Sequence, residues 1–269
     1  YGNTEILANG GPITIDTKVN GATTDMYLSG NFWFGSKANT PVSASSSDII
    51  IRADEFQFNG DTPDIATTGT FTLEPVASST SFGQGVSTSW FTWNQNNQTI
   101  GGLTIGKSGN TSSINIISPP NSIDGNVAIY GGDVELFNDI NAQSGNNDIY
   151  LEGSVRVIAS SASRKVYSGS GNITIVSDVY ENSTRRIQLK TTGELTLKPF
   201  TDTWSSSYVG FALDLTGSIT SGSFLGTSDV IWLQIDEVAS LGGLTLGKPS
   251  SNSGVSISTS LSIDGAINI

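Results

Sequence analysis

The sequence predicts an all-β protein wound as a parallel β-helix, a solenoid of about twelve rungs of roughly 22–24 residues. Three observations carry that expectation. Short alternating apolar segments recur along the whole chain, and no window of eleven or more shows a sustained helical stripe. The segments follow one another at steps in the low twenties. The chain is also internally duplicated, and the short step runs on through the join between the two copies.

In chain order the segments fall at 13–15, 26–28, 49–51, 56–58, 71–73, 103–105, 114–116, 127–129, 134–136, 149–151, 155–157, 173–176, 187–189, 195–197, 231–233, 244–246 and 255–257. Each is rich in β-branched or aromatic residues and is bounded by Gly, Asn, Asp, Ser or Pro. That is how a short strand between turns reads in sequence. Met26 to Ile49 to Phe71 gives steps of 23 and 22, and Leu103 to Val127 to Ile149 to Ile173 to Leu195 gives 24, 22, 24 and 22. A near-constant step suits turns that place strands on the same faces, stacked ~4.8 Å apart. Dividing 269 residues by the step gives the twelve rungs and an axis of roughly 55–60 Å. Val127 to Val134 is a step of only 7, as if two adjacent faces met at Tyr130-Gly131-Gly132, where glycine would supply positive φ. The stretches 78–97 and 204–225 lose the period and hold many of the aromatics, so wider turns or a lateral cover are expected there.

Gly101-Gly102-Leu103-Thr104-Ile105-Gly106-Lys107 returns as Gly242-Gly243-Leu244-Thr245-Leu246-Gly247-Lys248, and Ser122-Ile123-Asp124-Gly125 as Ser262-Ile263-Asp264-Gly265. Likewise Thr68-Gly69-Thr70-Phe71-Thr72-Leu73-Glu74-Pro75 returns as Thr192-Gly193-Glu194-Leu195-Thr196-Leu197-Lys198-Pro199. Residues 1–129 and 130–269 are thus two copies, divided inside an apolar alternating stretch rather than in a polar linker. The expectation is one continuous solenoid forming part of a longer array. The rival is a pair of tandem β-sandwich domains, since sandwiches also show turn signals every 8 to 12 residues. A sandwich, however, has no reason to keep a step near 22.

The G-G-L-T-[IL]-G-K block, the S-I-D-G turn, the Y-G-G-x-[VI]-x-[IL] rung at 130–136 and the T-G-x-[FL]-T-L-x-P block resemble the repetitive regions of giant bacterial surface adhesins. Those include filamentous-haemagglutinin-like β-helix proteins and repetitive gliding-motility adhesins. The resemblance implies a right-handed parallel β-helix stalk exported to the cell surface or secreted, and it carries over no catalytic residue.

Composition removes several chemistries. With no Cys there is no disulfide, thiolate metal site or Cys nucleophile; with no His there is no Ser-His-Asp triad and no imidazole ligand. The net charge of −12 disfavours nucleic acid and anionic lipid as partners, and no apolar run reaches spanning length, so no membrane insertion is expected. Neither Asp54-Glu55 nor Asp236-Glu237 makes a glycosidase dyad by itself, because strand neighbours face opposite ways. The paired cations Arg164-Lys165 and Arg185-Arg186 are read as solvated charges, and no enzyme is expected. Asp124-Gly125, Asp264-Gly265 and Gly60-Asp61 are turn signals, not a calcium motif. No catalytic residue, cofactor or metal is assigned. Thr70/Thr72 and Thr201/Thr203 do not suggest a Thr ladder in register.

Sugar stacking gives the aromatics Trp90, Trp93, Trp204 and Tyr208 a candidate role as glycan contacts; the competing role is to plug a widened rung. The 40 Ser, 29 Thr and 31 Gly read as the outer surface and corners of a fibre. The expected function is structural and adhesive: a stalk segment whose partners are neighbouring repeats stacked end to end and surface glycans. Open solenoid ends are the physical basis for that stacking.

Overall fold

A segment of three to five residues cannot satisfy its own backbone, so each needs partners on both sides; a chain that winds steadily supplies them in parallel register. The computed structural model has this arrangement. It describes residues 4–6, 13–16, 25–29, 32–35, 48–59, 63–76, 79–93, 99–160, 162–179, 185–204, 211–213, 233–235, 240–251, 255–257 and 263–269. Every strand pair among them is parallel, which excludes the tandem sandwich. The helical content of the described residues is the 3₁₀ turn Thr88–Trp90 and one further 3₁₀ residue, Ser240.

Three faces alternate along the chain. The main face stacks ten strands in one ladder: Ile13–Asp16, Ile49–Arg52, Thr70–Glu74, Gly102–Ile105, the first half of Val127–Leu136, the first half of Ile149–Ala159, Ile173–Ser177, Glu194–Lys198, Gly243–Leu246 and Ala266–Asn268. The second face holds Asp25–Ser29 with Glu55–Asn59, then Val86–Ser87, Ile114–Ile116 and the second halves of the two long strands, then Phe211–Leu213 with Val255–Ile257. The third face runs through Thr4–Ile6, Phe32–Gly35, Asp64–Ala66 and Thr92–Trp93, then Thr99–Ile100 with Ser122–Ile123, then Ile140–Ala142, Arg164–Ser168, Ile187–Lys190 and Leu233–Ile235.

About seven turns carry a strand on every face, fewer than the twelve rungs expected from the step. Three wide turns account for about two of the missing rungs: main-face partners are Ile13↔Ile49, Phe71↔Leu103 and Leu195↔Leu244, so those turns take 36, 32 and 49 residues. Between them the step holds, as in Val127↔Ile149↔Ile173↔Leu195. The step from Met26 to Ile49 has a different meaning from the one its length suggested. Met26 pairs with Phe56 on the second face, and Ile49 pairs with Ile13.

Inward positions of the main face form two apolar columns. Ile49, Phe71, Leu103, Val127, Ile149, Ile173, Leu195 and Leu244 make one; Ile51, Leu73, Ile105, Ile129, Leu151, Ile175, Leu197 and Leu246 make the other, all at most 2% exposed. Burial of each such side chain contributes about 1.5–3 kcal/mol, and each rung can bury its residues only against its neighbours. Outside, the middle column reads Thr14, Ile50, Thr72, Thr104, Ala128, Tyr150, Thr174, Thr196, Thr245, Asn268. Threonines thus fall in register more often than Thr-x-Thr pairs in the sequence indicate. They form a single column and bond to charged neighbours: Thr245 donates to Glu194 Oε1 at 2.6 Å.

The join between the copies lies within one strand, Val127–Leu136, which bends from the main to the second face at Gly131-Gly132. Its pairing with Ile149–Ala159 shifts register between Gly131 and Asp133. The glycine requirement here is space rather than positive φ. The positive-φ glycines among the described residues are Gly106, Gly109 and Gly247, whereas a Cβ on Gly132 would lie 2.2 Å from the Thr111 carbonyl oxygen.

The two copies build the same corners. Gly106 and Gly247 both take positive φ, their N–H groups donating to Leu73 and Leu197 oxygens at 2.8 Å. The lysines that follow also match: Lys107 Nζ donates to the Val76 oxygen and Lys248 Nζ to the Phe200 oxygen, each at 3.1 Å. Asp124 N–H reaches Ile100 O at 2.8 Å and Asp264 N–H reaches Leu241 O at 3.1 Å. At the entry to the main face an Asx ladder caps successive rungs. Asn126, Asp148 and Asn172 side-chain oxygens accept from the backbone N–H of Asp148, Asn172 and Glu194 at 2.9, 2.7 and 2.8 Å.

Candidate functional site

Of the aromatic residues singled out for sugar stacking, Trp90, Trp93 and Trp204 pack toward the interior. Trp93 is 5% exposed, meets Phe71 edge-on at 5.4 Å and donates its indole N–H to Ser118 O at 2.7 Å. Trp204 is buried at 8%, and Trp90 is partly buried against Phe56 with ring centroids 6.0 Å apart. Phe82 and Phe91 complete the cluster at 6.1 Å from Phe56 and 5.2 Å from Phe71. Phe82, Trp90, Phe91 and Trp93 fill the extra volume of the wide turn at 71–103, while Trp204 belongs to the wide turn between Leu195 and Leu244. Tyr208 lies outside the described residues.

Asp54 Oδ1 accepts the Val76 N–H at 3.4 Å, Glu55 begins the strand Glu55–Asn59, and Asp236-Glu237 lie outside the described residues, as does Gly60-Asp61. Asp124 has a turn role, accepting from Ser144 Oγ at 2.7 Å and Ser122 Oγ at 3.4 Å. No group of three or more His, Cys, Asp or Glu able to hold a metal occurs among the described residues.

One buried polar knot does form, where the main face turns into the second. Glu152, 6% exposed, accepts from Tyr150 OH at 2.8 Å, Ser108 Oγ at 3.2 Å and Gly109 N–H at 3.3 Å. Tyr130 and Tyr150 stack at 5.3 Å. Burial first, then the Glu152 hydrogen bond and charge, push the Tyr150 hydroxyl well above its usual value of 10; burial and Glu152 also raise Tyr130. The folded state therefore keeps a proton that the unfolded chain releases near pH 10. The stability this supplies is complete below that pH and is lost as pH rises through the raised folded value. Melting temperature is expected to fall as pH climbs above about 10, and Tyr150→Phe, which keeps the ring, is expected to flatten the fall. An unchanged pH profile in the variant would remove Tyr150 from this role.

What the sequence did not reveal is a groove of about 480 Å³ on the third face, lined by Pro119, Pro120, Asn121, Asn138–Ile140, Asn141, Gln143, Arg164, Lys165 and Tyr167. It is assembled from three successive turns. Pro119 and Pro120 are buried and form a stiff wall, their φ fixed by the rings. The strands Ile140–Ala142 and Arg164–Ser168 form the floor, in register Ile140↔Val166 and Asn141↔Tyr167. Alternation points Val166 inward and leaves Lys165 and Tyr167 facing out. The amides are held in place: Asn141 Nδ2 donates to Asn121 O at 3.4 Å, Gln143 Nε2 to Asn141 Oδ1 at 2.9 Å, and Asn138 Nδ2 to Ile117 O. Lys165 Nζ stands 5.6 Å from the Tyr167 ring centroid, and the Lys165 N–H donates to Asp139 Oδ1 at 3.0 Å.

The two cation pairs that read as solvated charges in the sequence fall on adjacent rungs here. Arg164 N–H donates to Arg186 O at 2.9 Å, and Lys165 and Tyr167 pair with Gln188 and Lys190. Arg164, Lys165, Arg185, Arg186 and Lys190 are five of the twelve cations of the chain. No family model, no curated protein and no solved structure matches this chain.

Proposed function

We propose that the chain is a structural and adhesive repeat segment of a long bacterial fibre, secreted or anchored at the cell surface, in which it acts as a stalk. The observation that carries this reading is the single main-face ladder running from Ile13–Asp16 to Ala266–Asn268 through the join of the copies. A parallel ladder of this kind resists extension along its whole length and keeps its ends far apart, which is what a stalk requires. The strand Ala266–Asn268 is exposed at all three residues, with Ile267 at 42%. Neighbouring repeats stacked end to end are its partners in this reading, and export and surface location follow from the adhesin resemblance.

The experiment is a head-to-tail fusion of two chains viewed by electron microscopy. A stalk segment extends as one straight rod roughly twice as long as the single chain. Two beads at variable angles would overturn the reading.

A further inference from the structure

We propose that the third-face groove binds an acidic polysaccharide, one whose sugar units carry carboxylate or sulfate. The inference goes beyond the stalk reading and can fail without it, since a groove binds whether or not the ends stack.

Charge makes the first argument. The chain carries −12 overall, so an anionic polymer is repelled by most of its surface. The groove lining holds two cations, Arg164 and Lys165, against one carboxylate, Asp139, which accepts the Lys165 backbone N–H. The next rung adds Arg186 beside Arg164 and Lys190 beside Tyr167. The guanidinium fork of Arg164 suits the planar carboxylate and the sulfate alike.

Chemistry and shape make the second. Fixed amides, a phenol ring and cations in an open concavity are the groups that recognise hydroxyls, the apolar face of a sugar ring and an acidic substituent together. Asn141, Tyr167 and Lys190 stand in one column along the axis, with Lys165 and Gln188 in the next. The rung spacing of ~4.8 Å is close to the length of one sugar ring, so successive units of a chain meet successive rungs. A peptide adding as a β-strand would need an unpaired edge, yet Arg164–Ser168 is already paired on both sides.

The test uses the whole chain and titrates three size-matched probes by calorimetry at physiological salt: oligogalacturonate, sulfated dextran and neutral dextran. Poly-glutamate is a fourth probe. At least one acidic saccharide is expected to bind, with neutral dextran silent. Arg164→Gln and Lys165→Gln are each expected to weaken it about tenfold, while Arg156→Gln, which removes the same charge from the second face, leaves it within twofold. Melting curves confirm that the variants fold; should Arg164→Gln not fold, the exposed Lys165→Gln alone decides. Preference for galacturonate or for sulfated dextran identifies the acidic group, and either supports the proposal. Silence of both acidic saccharides, equal weakening by Arg156→Gln, or equally tight binding of poly-glutamate would overturn it.

Discussion

Gly125→Val is expected to destabilise the protein by about 3 kcal/mol or more, the upper end of the cost of overpacking. Gly125 stands where the third face turns into the main face. A Cβ there would lie 1.7 Å from the Gly101 carbonyl oxygen of the rung before, and 2.9 Å from its carbon. Both are backbone atoms fixed by the ladder, so no side chain can swing aside. The same geometry recurs at Gly265, whose Cβ would meet Gly242 O at 1.6 Å, and at Gly101, whose Cβ would meet Thr68 O at 1.8 Å. Separating one rung from the next would break the stacking that both rungs depend on. Gly145 is the internal control. A Cβ there meets only the Asn147 amide at 3.8 Å, so Gly145→Ala is expected to change stability by no more than about 0.5 kcal/mol. Thermal melts of Gly125→Ala, Gly125→Val and Gly145→Ala decide the matter. Equal melting temperatures at the two positions would show that the corner has slack the geometry does not reveal.

These corners mark the boundary of what could be read from the sequence. Most strands of the main and second faces were legible because they carry two apolar residues two positions apart, as in Leu103/Ile105 and Ile114/Ile116. The third face was mostly missed. Thr99–Ile100 and Ser122–Ile123 hold one inward apolar residue each, and Arg164–Ser168 alternates Val166 with a buried Ser168, whose hydroxyl donates to Asn147 O at 2.7 Å. A period-2 pattern needs more length than that. Turn count failed for a related reason: a step of 23 does not say whether two segments share a face, as Met26 and Ile49 do not.

The candidate site was less legible still. The groove draws on residues near 120, 140 and 165, and only the winding of the chain brings them together. The tryptophans were ambiguous in the sequence. Large aromatics in an aperiodic stretch suit an exposed platform and an interior plug equally, and Phe71, which keeps the period, turns out to be the ring that Phe91 and Trp93 pack on.

The central claim is that the two sequence copies are not two domains but one solenoid, with the join inside a strand. Amide hydrogen exchange at that join tests it directly. Ile129 is fully buried, and the backbone from Val127 to Gly131 pairs residue by residue with Ile149 to Gly153. Opening the join therefore requires separating rungs on both sides, and its amides should open only with free energies near those of global unfolding. Exchange in 127–136 is expected to be slowed at least ~10³-fold, corresponding to about 4 kcal/mol, and to match the protection of Ile149–Ala159 and Leu103. A band of fast exchange at 129–132 between two protected halves would contradict the account, because it would show two folded units joined by a linker.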